Sequence, residues 1–427
     1  LQTPILKYLP DYYRMLILPG FMLLLALSGA AFFKDTGVSN DILLNITWGL
    51  AGLCLLLGVN FRSTQTIIMS LVVVASLFVF SSYIGVKVFG DLTASFLYAC
   101  LSILLPVNIL GASFQRGRAL FGPDGLPLLW IALFEAGFLW LGASGFGGYL
   151  SPEAHGQLLV RVVDLLNSPF IDLHGPGQGP SPIATLFFFI SFAVLLVRHL
   201  KEPQPELAAG IVLLFTFYLV LMNPANQWIT SILHLGGALI LIASLVQLAY
   251  RMAFLDDLTG LPARRAMTLE MARLRGEYTM AMVDVDHFKK VNDTHGHDTG
   301  DQVLKMVARR LNKVTGGGVS YRYGGEEFAV LFAGRTKESC RYFLEALREE
   351  IGMCRFLLRD QKRPKKIAKK TATKKRKGTS GNAGFSVTVS IGVADQRDGT
   401  NPSETLKAAD AALYKAKGDG RNRVVIF

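Results

Sequence analysis

The chain has 427 residues, room for one to three domains. Charged residues make up 18% and hydrophobic residues 51%, with a mean hydropathy of +0.37. A soluble globular chain carries about 25% charged residues, so the composition points to lipid-facing surface. The net charge of +12 would suit nucleic acid, but eleven Lys or Arg and one acid between Arg359 and Lys377 supply +10 of it. The basic character is one local run, and no nucleic-acid-binding face is implied.

Leu1 to Arg14, interrupted by Pro10, has neither the apolar run nor the cleavage pattern of a signal sequence. From Met15 to about Phe254 long apolar runs follow one another. Each is near the length of about 20 residues that a helix needs to cross a bilayer. Eight spans are expected, near 15–33, 42–60, 67–88, 92–113, 126–149, 183–200, 207–222 and 232–251. The short run at 207–222 and the glycine-rich one at 126–149 are the candidates for a re-entrant segment. With an even number, both ends lie on one side. That side carries Lys7, Arg14, Arg62, Arg116, Arg118, Arg198, Lys201 and Arg251, against Lys34, Lys87 and Arg161 on the other. The bias marks the first side as cytoplasmic.

In the long outer loop, Gly156 to Phe170 has apolar residues at helical spacing and reads as an amphipathic helix on the membrane surface. His174 to Pro182 reads as a turn region. Glu135 falls mid-span, where an ionisable group is costly; it serves either a ligand or a neighbouring polar group. Asn108 and His234 read as polar contacts between helices. The four cysteines, Cys54, Cys100, Cys340 and Cys354, have no CxxC spacing and imply neither disulfides nor a thiolate zinc site.

The pattern changes at Asp256, directly after the last span. Tyr278 to Asp286 reads as a strand ending in two acids, and Phe288 to Gly296 as a helix start and turn. Asp301 to Val314 is an amphipathic helix, and Val319 to Phe332 a hairpin broken at Gly324-Gly325. Lys337 to Phe356 reads as a helix, Phe385 to Ala394 as a strand, Thr405 to Lys417 as a helix and Val424 to Phe427 as a last strand. The result is an α+β sheet domain.

Asp284 and Asp286 end one strand, and Glu326 and Glu327 follow the Gly-Gly turn. Folding the strand end against the hairpin brings these carboxylates together, and such a cluster needs a cation or raises its own pKa values. Oxygen-only donors favour Mg²⁺ or Mn²⁺, and two such ions suit in-line phosphoryl transfer. Gly324 and Gly325 leave room for a phosphate or base, and Lys289 and Lys290 stand ready to hold phosphates. His287, His295 and His297 lie close in sequence, but their hard-oxygen neighbours argue against zinc.

Four segments resemble the GGDEF domain of diguanylate cyclases: Asp256 to Arg264, Asp284 to Asp293, Gly296 to Asp301, and Gly324-Gly325-Glu326-Glu327-Phe328, followed by a matching C-terminal helix from Ala408 to Arg421. The resemblance covers about Asp256 to Phe427. Together with the apolar runs, this gives a multi-span α-helical membrane domain (1–254) followed by an α+β GGDEF domain (255–427), for which the resemblance implies a palm-like, nucleotide-cyclase-like fold. It implies condensation of two GTP to cyclic di-GMP with release of two pyrophosphates, by two domains that face each other in a homodimer.

On this mapping Asp284, the Val285 carbonyl, Glu326 and Glu327 hold Mg²⁺ or Mn²⁺, about two ions per GTP. Glu326 or Glu327 helps remove the ribose 3′-hydroxyl proton. Lys289, Lys417 and Arg421 neutralise phosphates, Gly324 and Gly325 accommodate the substrate, and Asn292 and Asp301 read guanine. The location implied is a bacterial inner membrane, with the GGDEF domain in the cytoplasm and the membrane part regulating it.

The sequence departs from the family in two places. Thr315 and Gly318 stand where many members carry the Arg-x-x-Asp product-inhibition site. A basic, lysine-rich segment at about 359–382 resembles an insertion, disordered by composition, that either attracts anionic lipid headgroups or is simply solvated. Two other functions stay open: a transporter or ligand-binding membrane protein with a regulatory GGDEF tail, and a non-catalytic nucleotide receptor.

Overall fold

The computed structural model describes residues 11–32, 39–84, 92–115, 126–144, 150–166, 179–357 and 384–427. The expected basic insertion, loop residues Lys7, Lys34, Lys87, Arg116 and Arg118, and the ends of the first, third and fifth expected spans lie outside the described residues. The chain divides into two compact units, Leu1–Ala249 and Tyr250–Phe427. The expected boundary at 254 is a few residues later, because the helix at the junction runs on to Phe254.

The first unit is all helical. Its helices are α1 (Asp11–Phe32), α2 (Asn40–Asn60), α3 (Thr64–Val79, continued by a π turn, Phe80–Ile84), α4 (Leu92–Ser113), α5 (Leu126–Ala143), α6 (Pro152–Leu166), α7 (Pro182–Lys201), α8 (Pro205–Met222) and α9 (Gln227–Phe254). All eight expected spans coincide with helices. Among the described residues six helical stretches are long and apolar enough to cross a bilayer: α2, residues 64–82, α4, α7, α8 and α9. The apolar stretches of α1 (Met15–Ala30) and α5 (Trp130–Gly142) are shorter. Large apolar side chains such as Leu56, Phe134 and Phe189 are exposed, as a lipid-facing surface requires.

Helix α4 is central and packs against α3, α5, α6, α7 and α8. Small residues let helices approach: a Cβ on Gly236 of α9 would stand 2.8 Å from the Ala26 Cβ of α1. Polar side chains find partners across helices. His234 Nε2 pairs with Ser76 Oγ at 2.9 Å, and the Asn108 amide donates to Glu135 Oε2 at 2.6 Å. Of the two roles open to Glu135, the structure shows the neighbouring polar partner. The amphipathic helix begins earlier than expected, as α6, and its apolar face packs on protein: Leu159 is buried, and Val162, Val163 and Leu166 lie against the helical core.

The second unit holds α10 (Arg264–Met271), β1 (Tyr278–Val285), α11 (Phe288–His295), α12 (His297–Leu311), β2 (Val319–Gly324), β3 (Glu327–Ala333), α13 (Lys337–Met353), β4 (Arg355–Leu357), β5 (Gly384–Ser386), β6 (Val389–Asp395), α14 (Pro402–Gly418) and β7 (Val424–Ile426). The main sheet has the order β2-β3-β1-β6-β7, antiparallel except for the β6–β7 pair. Strands β4 and β5 form a separate ribbon. The expected helix to Phe356 stops at Met353, and the expected strand 385–394 is broken at Val387-Thr388.

The sheet is buried on both faces, as an alternation of side chains over two helical layers demands. Ala281, Val283 and Val285 of β1, with Phe328, Val330 and Phe332 of β3, meet α12 and α13 in one core. Met280 and Met282, with Ala329 and Leu331, meet α10 and α14 in the other. On this second face α14 comes very close to β6. A Cβ on Gly392 would stand 2.0 Å from the backbone nitrogen of Leu413 and 2.2 Å from the Ala409 carbonyl oxygen. The alanines of α14 that face the sheet, Ala408, Ala409 and Ala412, are buried and short enough to permit this approach.

Backbone atoms cannot move aside as a flexible side chain does. Gly392→Val is therefore expected to destabilise the second unit by about 3 kcal/mol or more. Thermal unfolding of the full chain in detergent checks this; a melting temperature equal to wild type would refute it.

Candidate functional site

Strand parity sets the site. Asp284 continues the Met280, Met282 row of β1 onto the α14 face, and it lies directly opposite Glu327 of β3 and Ser390 of β6. Because α14 is pressed onto β6, its last turn reaches this point, and Lys417 Nζ sits 2.8 Å from Asp284 Oδ2. Asp284 is only 6% exposed. Burial pushes its carboxyl above the ordinary value, against the pull of Lys417 and Arg421. Glu326, in the turn between β2 and β3, is also raised, first by burial and next by the charge of Asp284. The two carboxylates thus repel each other.

Asp286 is different. Its Oδ1 accepts from Ser390 Oγ (2.7 Å), and its Oδ2 accepts from Thr388 Oγ1 (2.7 Å) and the Asn422 backbone N–H (3.1 Å). Each oxygen already has a protein donor, so Asp286 is a clasp joining β1, β6 and the segment before β7. The carboxylate cluster expected from sequence therefore loses Asp286. Its partners Thr388, Ser390 and Asn422 were missed; a Ser or Thr on a strand next to an acid is too common to flag.

The hairpin is held from outside the sheet. Arg322 donates from Nε and Nη2 to the Gly325 carbonyl (3.2 and 2.8 Å), and from Nη1 to Asp256 Oδ1 (2.7 Å). That same oxygen accepts from the Thr259 N–H and hydroxyl, at 2.8 and 2.6 Å. Burial opposes the charge on Asp256, but the hydrogen bonds from Thr259 and Arg322 outweigh it and hold the carboxyl below its ordinary value. Gly325 has φ +47°, which favours glycine. A Cβ at either Gly324 or Gly325 would meet nothing within 4 Å, so open space lies over the turn. The sequence reading noted the Asp256 segment but missed its tie to Arg322.

The expected base readers lie together at the α11–α12 junction. His287, at φ +55°, turns the chain out of β1 into α11, whose first turn exposes Lys289 and Lys290. Asn292 lies against Gly300 of α12, where a Cβ would stand 1.9 Å from its Oδ1. That Oδ1 is buried without a hydrogen-bond partner. Asp301 follows on the exposed side of α12. His295 of α11 stacks on Phe385 of β5 at 4.6 Å between ring centroids.

Whether a divalent cation fits can be judged from these residues. Asp284, Glu326, Glu327 and the Val285 carbonyl offer hard oxygens only, which suits Mg²⁺ or Mn²⁺. Among the described residues no three His, Cys, Asp or Glu side chains already converge as a metal set. The ammonium of Lys417 offsets Asp284 at the point where a cation would do so. Arg421, at φ +64°, lies near enough to stabilise the Asp284 charge. By the chemistry of their donors these residues fit such an ion.

A family model described as "Diguanylate cyclase, GGDEF domain" matches residues 253–371 and 356–423. The second unit belongs to the GGDEF family of diguanylate cyclases. The GGDEF part is 36% identical over 177 residues to Diguanylate cyclase VdcA of Vibrio cholerae, covering 40% of this chain and 47% of that one. It is 36% identical over 183 residues to Response regulator PleD of Caulobacter vibrioides, covering 41% of this chain and 36% of that one. The chain thus spans less than half the length of either relative. Among solved structures, the GGDEF domain of DgcB from Caulobacter crescentus in complex with c-di-GMP shares 32% identity, with a TM-score of 0.34, covering 41% of this chain and 93% of that chain.

The raised carboxylates have a pH consequence. In the window between their ordinary and raised pKa values, the fold without cation binds more protons than the unfolded chain, so its stability falls as pH rises through that window. A cation that needs both groups ionised competes with those protons. The rise in melting temperature caused by Mg²⁺ is therefore expected to grow as pH increases through and just above the carboxylate range, and a pH-independent rise would exclude Asp284 and Glu326 as ligands.

Proposed function

We propose that this protein is a membrane-anchored diguanylate cyclase, which condenses two GTP to cyclic di-GMP and two pyrophosphates. The observation that carries the reading is the position of Asp284, opposite Glu327, electrostatically coupled to Glu326 and contacted by Lys417, under a glycine turn with open space above it. The relatives named above support it. Two domains must face each other, each holding one GTP, so the working form is a homodimer.

Asn292 and Asp301 read guanine, whose N1–H and exocyclic amine are donors; adenine presents an acceptor at N1 and is disfavoured. Lys289, Lys417 and Arg421 neutralise phosphates. Glu326 or Glu327 takes the proton from the ribose 3′-hydroxyl. The 3′-oxygen then attacks the α-phosphorus of the GTP on the facing domain, and pyrophosphate leaves as the new P–O bond forms. Asp284, Glu326, Glu327 and the Val285 carbonyl would hold Mg²⁺ or Mn²⁺, which when bound supplies charge stabilisation at the phosphates.

The helical unit lies in the bacterial inner membrane and regulates the GGDEF domain, which faces the cytoplasm. This is supported by the six apolar helices and by the bias of Lys and Arg between loops. Thr315 and Gly318 leave the Arg-x-x-Asp site unformed. Gly316 and Gly317 between them adopt φ +76° and +81°, in a tight turn. The basic segment at 359–382 is an insertion whose lysines and arginines would attract anionic headgroups.

Purified full chain with GTP and Mg²⁺ is expected to yield cyclic di-GMP. Glu326→Ala should lower the rate at least about a hundredfold, because several kcal/mol of charge stabilisation is lost. Equal product from wild type and Glu326→Ala, or a different product, would sink the reading. Asp301→Ala should cut the preference for GTP over ATP by about tenfold or more. Added cyclic di-GMP should leave the initial rate unchanged; strong noncompetitive inhibition would show that a product site exists despite Thr315 and Gly318.

A further inference from the structure

Helices α2, α3, α4 and α5 line a half-open cavity of about 550 Å³, within the range of about 300–1,000 Å³ that small-molecule sites occupy. Its walls are almost entirely apolar, and its polar element is the Asn108–Glu135 pair. The Asn108 amide occupies one carboxylate oxygen, Oε2; among the described residues no hydrogen bond reaches Oε1. Among the described residues no Lys, Arg or His lines the cavity. The aromatic side chains of Trp48 and Trp140 do line it.

A carboxylate among apolar walls is stabilised by a positive charge placed beside it. Aromatic faces attract cations, quaternary ammonium above all. The remaining acceptor capacity lies at Glu135 Oε1 and Asn108 Oδ1. We propose that this cavity is a binding site for an organic ammonium compound with an apolar body, its cationic head on Glu135 beside the rings of Trp48 and Trp140, its body along the leucines and valines of α3 and α4. Neither an apolar chain alone nor a carboxylate-headed amphiphile satisfies the charge. The site lies wholly in the helical unit, and the proposal stands whether or not the chain makes cyclic di-GMP.

The test is equilibrium binding to the purified full chain in neutral maltoside micelles, read by calorimetry. Octyltrimethylammonium, octanol and octanoate share one chain length and differ in the head. Octyltrimethylammonium should bind saturably and at least about tenfold more tightly than octanol, with octanoate weakest. Glu135→Gln, which keeps a partner for Asn108, should lower ammonium affinity at least about tenfold and leave octanol unchanged. Trp140→Leu should lower ammonium affinity about threefold or more, and serves if Glu135→Gln does not fold. Equal affinity for octanol and octyltrimethylammonium would mean a cavity that takes any acyl chain, and would overturn the proposal. So would wild-type ammonium affinity in Glu135→Gln, which would leave the pair a purely structural contact.

Discussion

The backbone of α14 rests against the backbone of β6 at Gly392, with no side chain between them. Most of the site depends on that contact. It fixes how far α14 stands from the sheet, and so where its last turn ends. Lys417 then falls on Asp284, and Arg421 follows at the turn after the helix, close to the same carboxylate. A helix one side-chain layer further out would bury the same alanines against larger partners. Its cations would no longer reach the strand end. Packing at one glycine is converted into electrostatics a turn and a half away.

Two acids that look equivalent do opposite work. Asp286 is saturated by three donors drawn from the β6 region and the approach to β7, and it ties down the strand end. Asp284, nearly as buried, has one ammonium partner and a carboxylate neighbour it repels. Rigidity at the first acid leaves the second pre-oriented but electrostatically unfinished, which is what a site that recruits a divalent cation and a polyphosphate needs. The hairpin follows the same logic. Arg322 links the Gly325 carbonyl to Asp256, so the turn is braced from the segment that leads into the domain.

Much of this was legible in the sequence, for physical reasons. The alternation in Tyr278 to Val285 marked β1, the glycine pair marked the β2–β3 turn, and the alanine face of α14 marked a helix meant for close packing. Asp284, at the strand end, needed only that strand to be placed. Other features depend on distant partners. The break that separates β5 from β6 arises where Thr388 accepts from the Asp286 N–H, and nothing local announces it. Helix α12 begins at His297, before its apolar stripe, because Gly296 at φ +83° closes α11 and opens the next helix at once. Among the described residues the apolar stretches of α1 and α5 are shorter than those of their neighbours.

The ribbon of β4 and β5 is small, yet it decides what the domain can tolerate. Leu357 and Gly384 are paired across it, so the chain departs and returns at one place, beside the stacked rings of Phe385 and His295. Closing a longer loop across such a gate costs little more than closing a short one, since the penalty grows only with the logarithm of length. Sequence added between these strands is thus uncoupled from the register of the main sheet. The ribbon would thus act as a socket, able to carry loops of different length while the chemistry-bearing framework stays as it is.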